Sequence, residues 1–183
     1  TGRDYRVVVL DGEVISAYER LPLSVTGNGL AAINQLLAKK QKAYRAGDRD
    51  TAIEITDFRI AARLKRLGLS RATILNRGQT LALLDNSNLS TGGEAVEVND
   101  DIHASYKKLA VNLARDMGLR YCGVDLMVQD DLKKPLDQRL NNYQVIEINA
   151  APGIDHYAKS GAKQKKFVKE IYRRILKKLA GKK

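Results

Sequence analysis

The chain has 183 residues, a size for one domain or slightly more, and 44% apolar residues supply a real core and argue against disorder. No apolar run approaches the ~18 residues of a membrane span, the N-terminus carries no apolar signal region, and the single cysteine, Cys122, excludes a disulfide framework or a multi-thiol zinc site. The net charge of +11 is lopsided: residues 159–183 hold eleven basic side chains and one acid, and the other 158 residues are nearly balanced.

Residues 5–10 (YRVVVL) read as a buried strand, Asp11-Gly12 as a hairpin turn, and residues 13–18 (EVISAY) as the returning strand. Residues 24–29 are turn-rich and read as a loop. A helix is predicted over 31–46, with Ile33, Leu36, Leu37 and Tyr44 on one side, broken at 47–50. A second follows over 58–67, with Gly68 as its C-terminal cap. Residues 81–84 form a short strand and residues 86–93 a polar, glycine-ended loop. Asp100 or Asp101 is expected to cap a helix over 102–117, ended by Gly118, and His103 to cap or pack at its start. Two apolar strands, 121–128 and 143–148, flank a charged variable loop at 129–142. A turn at 150–153 leads to an amphipathic helix over 165–179, with Phe167, Val168, Ile171, Tyr172, Ile175, Leu176 and Leu179 as its apolar stripe. This order is α+β: a mostly antiparallel sheet with packed helices.

Two acids interrupt apolar strands, Asp125 in CGVDLM and Glu147 in VIEIN. Alternation puts Glu147 and Asn149 on one face, and pairing of the two strands would bring Asp125 beside them. Ion pairs with Arg or Lys on the sheet would account for one such acid. Two acids plus an Asn favour a hard cation, Mg²⁺ or Mn²⁺, with open positions for water and phosphate. The loop Asn88-Leu89-Ser90-Thr91-Gly92-Gly93 has hydroxyls, and backbone N–H groups that could face an anion, although a polar turn is the commoner meaning of such a stretch. Arg6 and Arg20 are candidate anion binders, with a solvated surface role as the alternative. His156 reads as a surface residue, and Cys122 as a small core residue.

The combination GRDYRVVVLDGEVI, NLSTGG, GVDLM and EINAAPG resembles the C-terminal part of an ATP-grasp ligase over nearly the whole chain. Within that superfamily it resembles the cyanophycin synthetase, bifunctional glutathione synthetase and N-acetylglutaminylglutamine synthetase group. The phrases LPLSVTGNG, LLDNSNLSTGGEAVEV and CGVDLMV…VIEINAAPGIDHYA read closest to the last of these. The resemblance implies a carboxylate activated as an acyl phosphate by Mg-ATP, then attack by an amine, giving an amide, ADP and phosphate. It implies metal binding by Asp125, Glu147 and Asn149, catalytic arginines at Arg6 and Arg20, and a substrate or phosphate loop at Asn88, Ser90, Thr91, Gly92 and Gly93. Two positions depart from the pattern, with Gly123 and Asn86 standing where some relatives carry arginine.

The chain then reads as the metal- and substrate-side lobe, residues 1–183, with 30–80 an inserted helical segment and 159–183 a basic closing helix. The N-terminal lobe of the same polypeptide, which carries the nucleotide-binding lysines, is expected upstream. The isolated chain is expected to be inactive, and the sequence, which lacks an initial Met, reads as a fragment or processed piece. Its expected partners are a carboxylate and an amine of amino-acid type; the setting is cytoplasmic, no membrane is involved, and a homo-oligomer is allowed. Two alternatives differ in class. One is a module that binds an acidic partner or nucleic acid through the basic helix. It explains only the charge, so nucleic acid is disfavoured. The other is an Mg²⁺-dependent phosphotransferase of unrelated fold.

Overall fold

The computed structural model describes residues 2–47, 49, 51–137, 142–159 and 162–181. The predicted variable loop at 129–142, the break at 47–50 and the basic C-terminus therefore lie partly outside the described residues. The element order is β1 (Arg3–Leu10), β2 (Glu13–Leu21), β3 (Ser24–Thr26), α1 (Ile33–Ala46), α2 (Phe58–Arg66), β4 (Thr80–Ala82), β5 (Glu94–Glu97), α3 (Ala104–Asp116), β6 (Tyr121–Val128), β7 (Tyr143–Asn149), α4 (Asp155–Ala158) and α5 (Ala162–Leu179). The mixed α+β class is as the sequence predicts. The chain forms two compact units, the first comprising residues 1–20, 95–154 and 166–183, the second residues 21–94 and 155–165.

The first unit is built on a five-stranded sheet in the order β5-β2-β1-β6-β7. β1 pairs antiparallel with β2 and with β6, and β6 antiparallel with β7. The predicted hairpin turn has positive φ at both Asp11 (48°) and Gly12 (79°), as a tight two-residue hairpin demands. Tyr5, Val7 and Val9 of β1 and Cys122, Val124, Leu126 and Val128 of β6 alternate onto one face. There they pack with Tyr106, Ala110 and Ala114, one stripe of α3. The other face carries Asp4, Arg6 and Val8 opposite Arg20, Tyr18 and Ser16 of β2, and Gly123 and Asp125 of β6.

β7 carries a bulge. Asp125 opposes Glu147, but Leu126 opposes Val145, which leaves Ile146 as an extra residue. The extra residue inverts the alternation. Tyr143 can thus sit edge-on to Tyr106 in the core, at 88°. Glu147, four residues on, lies on the Asp125 face rather than with Tyr143.

In the second unit, α1 and α2 pack Ile33, Leu37, Ile60 and Leu64 against Leu23, Val25, Ile53, Leu75, Leu83 and Leu84. Among the described residues, those of 30–80 lie within this unit and supply six of the ten buried residues of its core. Asp57 caps α2 by accepting the Arg59 N–H.

Several expectations are corrected. Residues 24–26, read as loop, are a strand, because Thr80–Ala82 supplies an antiparallel partner. β5, α4 and a 3₁₀ turn at Leu89–Thr91 were not predicted. His103, not Asp100 or Asp101, caps α3: its backbone is extended and its Nδ1 accepts the Ser105 N–H at 3.2 Å. In α5, Val168 and Ile171 are buried, whereas Tyr172 and Leu176 are 44% and 64% exposed. The stripe is thus narrower than its sequence suggests. The side chains of Leu179 and His156 lie outside the described residues. Among the described residues, no helix is long and apolar enough to cross a membrane.

Candidate active site

The first unit collects five of the predicted site residues on one sheet face. Asp125 is 2% exposed. Arg6, directly opposite it on β1, grips it with both tines of the guanidinium, Nε to Oδ1 at 2.6 Å and Nη2 to Oδ2 at 2.7 Å. Arg20 Nη2 lies 3.0 Å from the same Oδ2 and donates to Asp4 Oδ1 at 2.6 Å. Two-point contacts of this kind are among the strongest polar interactions available to a side chain. The outcome is a chain of alternating charge, Asp4–Arg20–Asp125–Arg6, that crosses three strands and is electrically balanced.

Burial sets the ionisation of its members. Burial raises the Asp4 carboxyl above its ordinary value, and Arg20 only partly opposes this. Burial also pushes the Tyr18 hydroxyl up, against the pull of Arg6 and Arg20, so Tyr18 keeps its proton. Burial is the largest single influence on Arg6 and works against its charge, but the hydrogen bond and charge of Asp125, together with Tyr18, outweigh it and the guanidinium stays firmly charged.

Gly123 explains how Arg6 reaches across. A Cβ there would stand 3.0 Å from Pro152 Cβ and 3.3 Å from Arg6 Cδ. The missing side chain leaves the path for the Arg6 stem. A side chain at this position needs Arg6 or Pro152 to move.

Glu147 stands next to this network and differs from it. It opposes Asp125 across the β6–β7 pair, and it is exposed. Among the described residues its carboxylate has no ion-pair partner. Asn149, opposite Gly123, is half-buried on the same face. Asp125 Oδ1 accepts from Arg6 Nε and Oδ2 from Arg6 Nη2, and Arg20 Nη2 also stands 3.0 Å from Oδ2, so the carboxylate's remaining acceptor capacity lies mainly on Oδ1. Among the described residues no group of three or more His, Cys, Asp or Glu side chains could hold a metal. A cation at this face would therefore rest on Glu147, Asn149 and Asp125 Oδ1. It would keep positions for water and phosphate oxygens, the habit of Mg²⁺. The donors, all oxygen, fit that ion.

The glycine-ended loop belongs to the second unit. It divides into an exposed half, with Asn88 and Ser90, and a buried half, with Gly92 and Gly93. The Thr91 and Gly93 N–H groups both donate to Asn88 O at 3.1 Å, and the Gly92 N–H turns toward Leu89 O at 3.4 Å. These three donors face inward. The donors at the open start of the turn are the Leu89 and Ser90 N–H groups, which have no partner among the described residues. Thr91 Oγ1 bonds to Asn88 O and to Asn86 Oδ1, at 3.0 and 3.2 Å.

Just after the loop, burial pushes the Glu94 carboxyl up. Lys40 Nζ at 2.7 Å, together with Tyr44 and Arg49, more than offsets this, so the pKa lies below the ordinary 4.5. Stability from this pair is present above pH 4.5 and is lost as pH falls through the lowered folded value. Hydrogen exchange of the Gly92 and Glu94 amides is expected to accelerate on acidification through that window, an effect that Glu94→Gln should diminish.

Sequence reasoning missed Asp4 and Tyr18 in the first unit and Tyr44 and Arg49 in the second. Asp4 could have been found, since it lies two residues from Arg6 and so shares its face.

Three comparisons bear on this arrangement. The 85–171 segment matches the model of the RimK-like ATP-grasp domain. The chain is 38% identical over 154 residues to the glutathione biosynthesis bifunctional protein GshAB of Mannheimia succiniciproducens, covering 82% of this chain and 20% of that one. It is 36% identical over 157 residues to the cyanophycin synthetase of Geminocystis herdmanii, covering 84% and 18%. The crystal structure of a bifunctional glutathione synthetase from Pasteurella multocida superposes with a TM-score of 0.71 at 30% identity, covering 95% of this chain and 25% of that one. Over residues 85–171 the chain is thus similar to the RimK-like ATP-grasp domain. This domain includes Asn88 to Gly93, Asp125, Glu147 and Asn149, while Arg6 and Arg20 precede it. The chain spans about a fifth of the length of the curated relatives it matches.

Proposed function

We propose that this chain is the metal- and substrate-side lobe of an ATP-dependent, ADP-forming carboxylate–amine ligase acting on amino-acid-derived substrates in the cytoplasm. The observation that carries the reading is Glu147. It adds one uncompensated negative charge, among the described residues, beside a buried network whose own charges cancel. A cation is the natural answer to that charge, and Asn149 and Asp125 Oδ1 offer the further oxygens. When bound, Mg²⁺ supplies charge neutralisation for phosphate oxygens in phosphoryl transfer.

The residues of the chain do the rest. Asp125 holds Arg6 in one orientation, and Asp4 and Asp125 together hold Arg20, so both guanidiniums are preorganised before an acyl phosphate or its tetrahedral adduct arrives. Fixed donors of this kind stabilise developing negative charge without the cost of reorganisation. On the second unit, the exposed Ser90 hydroxyl and the Leu89 and Ser90 N–H groups are the available donors for substrate or phosphate oxygen. An N-terminal ATP-grasp lobe would supply the nucleotide's other contacts.

The test uses the full-length protein with Mg-ATP and a panel of acid–amine pairs. ADP is expected only when one matching pair is present, and Glu147→Gln should reduce that release below detection while the protein stays folded. ADP release by a folded Glu147→Gln enzyme at the normal rate would sink the metal assignment. ADP without any amine would favour a phosphotransferase instead.

A further inference from the structure

The second unit contains a buried arginine that the ligase reading leaves without a task. Arg49 is 7% exposed, and its guanidinium lies over the Tyr44 ring at 4.1 Å. Its Nη2 donates to Leu89 O at 3.1 Å and also to Gly93 O. Its Nε donates to Thr51 Oγ1 at 3.2 Å, and Thr51 Oγ1 in turn donates to Leu89 O at 3.3 Å. The Tyr44 hydroxyl lies 3.0 Å from Gly92 O and 3.2 Å from Glu94 Oε1. The carbonyls of Leu89, Gly92 and Gly93 are therefore all taken by three side chains, Arg49, Thr51 and Tyr44, while Asn88 and Ser90 stay exposed.

We infer that Arg49 and Tyr44 are positioning residues that clamp residues 89–93 by their carbonyls and thereby fix the exposed Ser90 end for substrate. The substrate part of this inference rests on the ligase reading; the clamp itself does not. The chemistry suits the task. The planar guanidinium serves three acceptors from one fixed plane, the Leu89 and Gly93 carbonyls through Nη2 and the Thr51 hydroxyl through Nε, where a lysine ammonium presents a single point, and the aromatic face holds the guanidinium in a desolvated site. The arrangement also gives residues 30–80 a role: α1 and the segment after it carry the support of the loop.

Two variants test the clamp in the 183-residue chain. Tyr44→Phe keeps the ring under Arg49 and removes only the hydroxyl. Arg49→Lys keeps the charge and removes the fork. Amide exchange at Thr91, Gly92 and Gly93 should rise by up to about tenfold in Tyr44→Phe, the scale of one lost hydrogen bond, and by more in Arg49→Lys. Exchange in α3 and β6 should stay as in the parent. If Arg49→Lys does not fold, Tyr44→Phe decides. In the full-length ligase, the KM for the carboxylate substrate should rise several-fold in Tyr44→Phe while the KM for ATP holds, a split that mere loss of folded protein would not produce.

Loop amides that exchange as in the parent would overturn the clamp, whatever the protein catalyses. Looser amides with an unchanged KM for the carboxylate would overturn the positioning role. Looser amides in a full-length protein that ligates no acid–amine pair would support the clamp and count against the ligase reading instead.

Discussion

Asp125→Asn is expected to destabilise the chain by about 3–5 kcal/mol, the cost of removing one partner from a buried ion pair. The substitution leaves the guanidiniums of Arg6 and Arg20, with side chains only 13% and 12% exposed, sharing a single remaining acid, Asp4. Against the ~5–15 kcal/mol total of an ordinary domain, that is a large fraction. Glu147→Gln lies on the neighbouring strand and also removes one strand acid. It should change stability by less than about 0.5 kcal/mol, as exposed substitutions usually do, because Glu147 has no ion-pair partner among the described residues to strand. Urea midpoints of the two variants, measured side by side on this chain, check the contrast. Equal losses would mean that Glu147 is as deeply tied into the sheet as Asp125. No loss in Asp125→Asn would mean that the arginine fork does not hold in solution.

Gly93→Ala is the second large effect. An alanine Cβ would stand 2.7 Å from Leu21 O, 2.8 Å from Asn88 O and 2.9 Å from Ser87 O. All three are backbone atoms, so no side chain can swing away to make room. Overpacking of this kind costs about 1–3 kcal/mol, and here the cost falls on the loop itself. The carbonyl of Gly93 is also the one that Arg49 holds, so backbone movement to relieve the clash would loosen the clamp. The expected outcome is a lowered melting temperature together with loss of ligation in the full-length enzyme that exceeds the loss of folded protein. Gly12→Ala is the comparison: an added Cβ there meets nothing within 4 Å, and only its left-handed backbone, φ 79°, opposes the substitution, at about 1–2 kcal/mol. That change should leave ligation alone.

The two strand acids illustrate how far a sequence carries. Their presence in apolar strands, and the shared face of Glu147 and Asn149, follow from period-two alternation. Their difference in environment does not. Asp125 is locked by arginines from β1 and β2, 119 and 105 residues away in the chain. Glu147 reaches the same face only because the Ile146 bulge shifts the alternation of β7. No local pattern announces that bulge. The misplaced cap of α3 has a similar cause, since aspartate is the stronger general choice but the chain turns helical only after His103. Tyr172 and Leu176 fit an apolar stripe by spacing and are nevertheless exposed, because spacing sets which way a helical residue points and not how deeply the helix is buried.

By itself, then, the sequence determined the hairpin at Asp11-Gly12, the positions of α1, α2, α3 and α5 to within a few residues, the α+β class, and the set of acids, arginines and glycines from which a ligase site could be built. These are local matters of turn chemistry, periodicity and residue type. Only the tertiary structure decided which of those residues touch. It joined Arg6 and Arg20 to Asp125, left Glu147 exposed, turned the Thr91, Gly92 and Gly93 N–H groups inward, and bonded Arg49 to the carbonyls of Leu89 and Gly93. Each of these depends on strand register or on contacts between distant segments, where the free energy of one arrangement over another comes from burial and hydrogen bonding that no short stretch of chain contains.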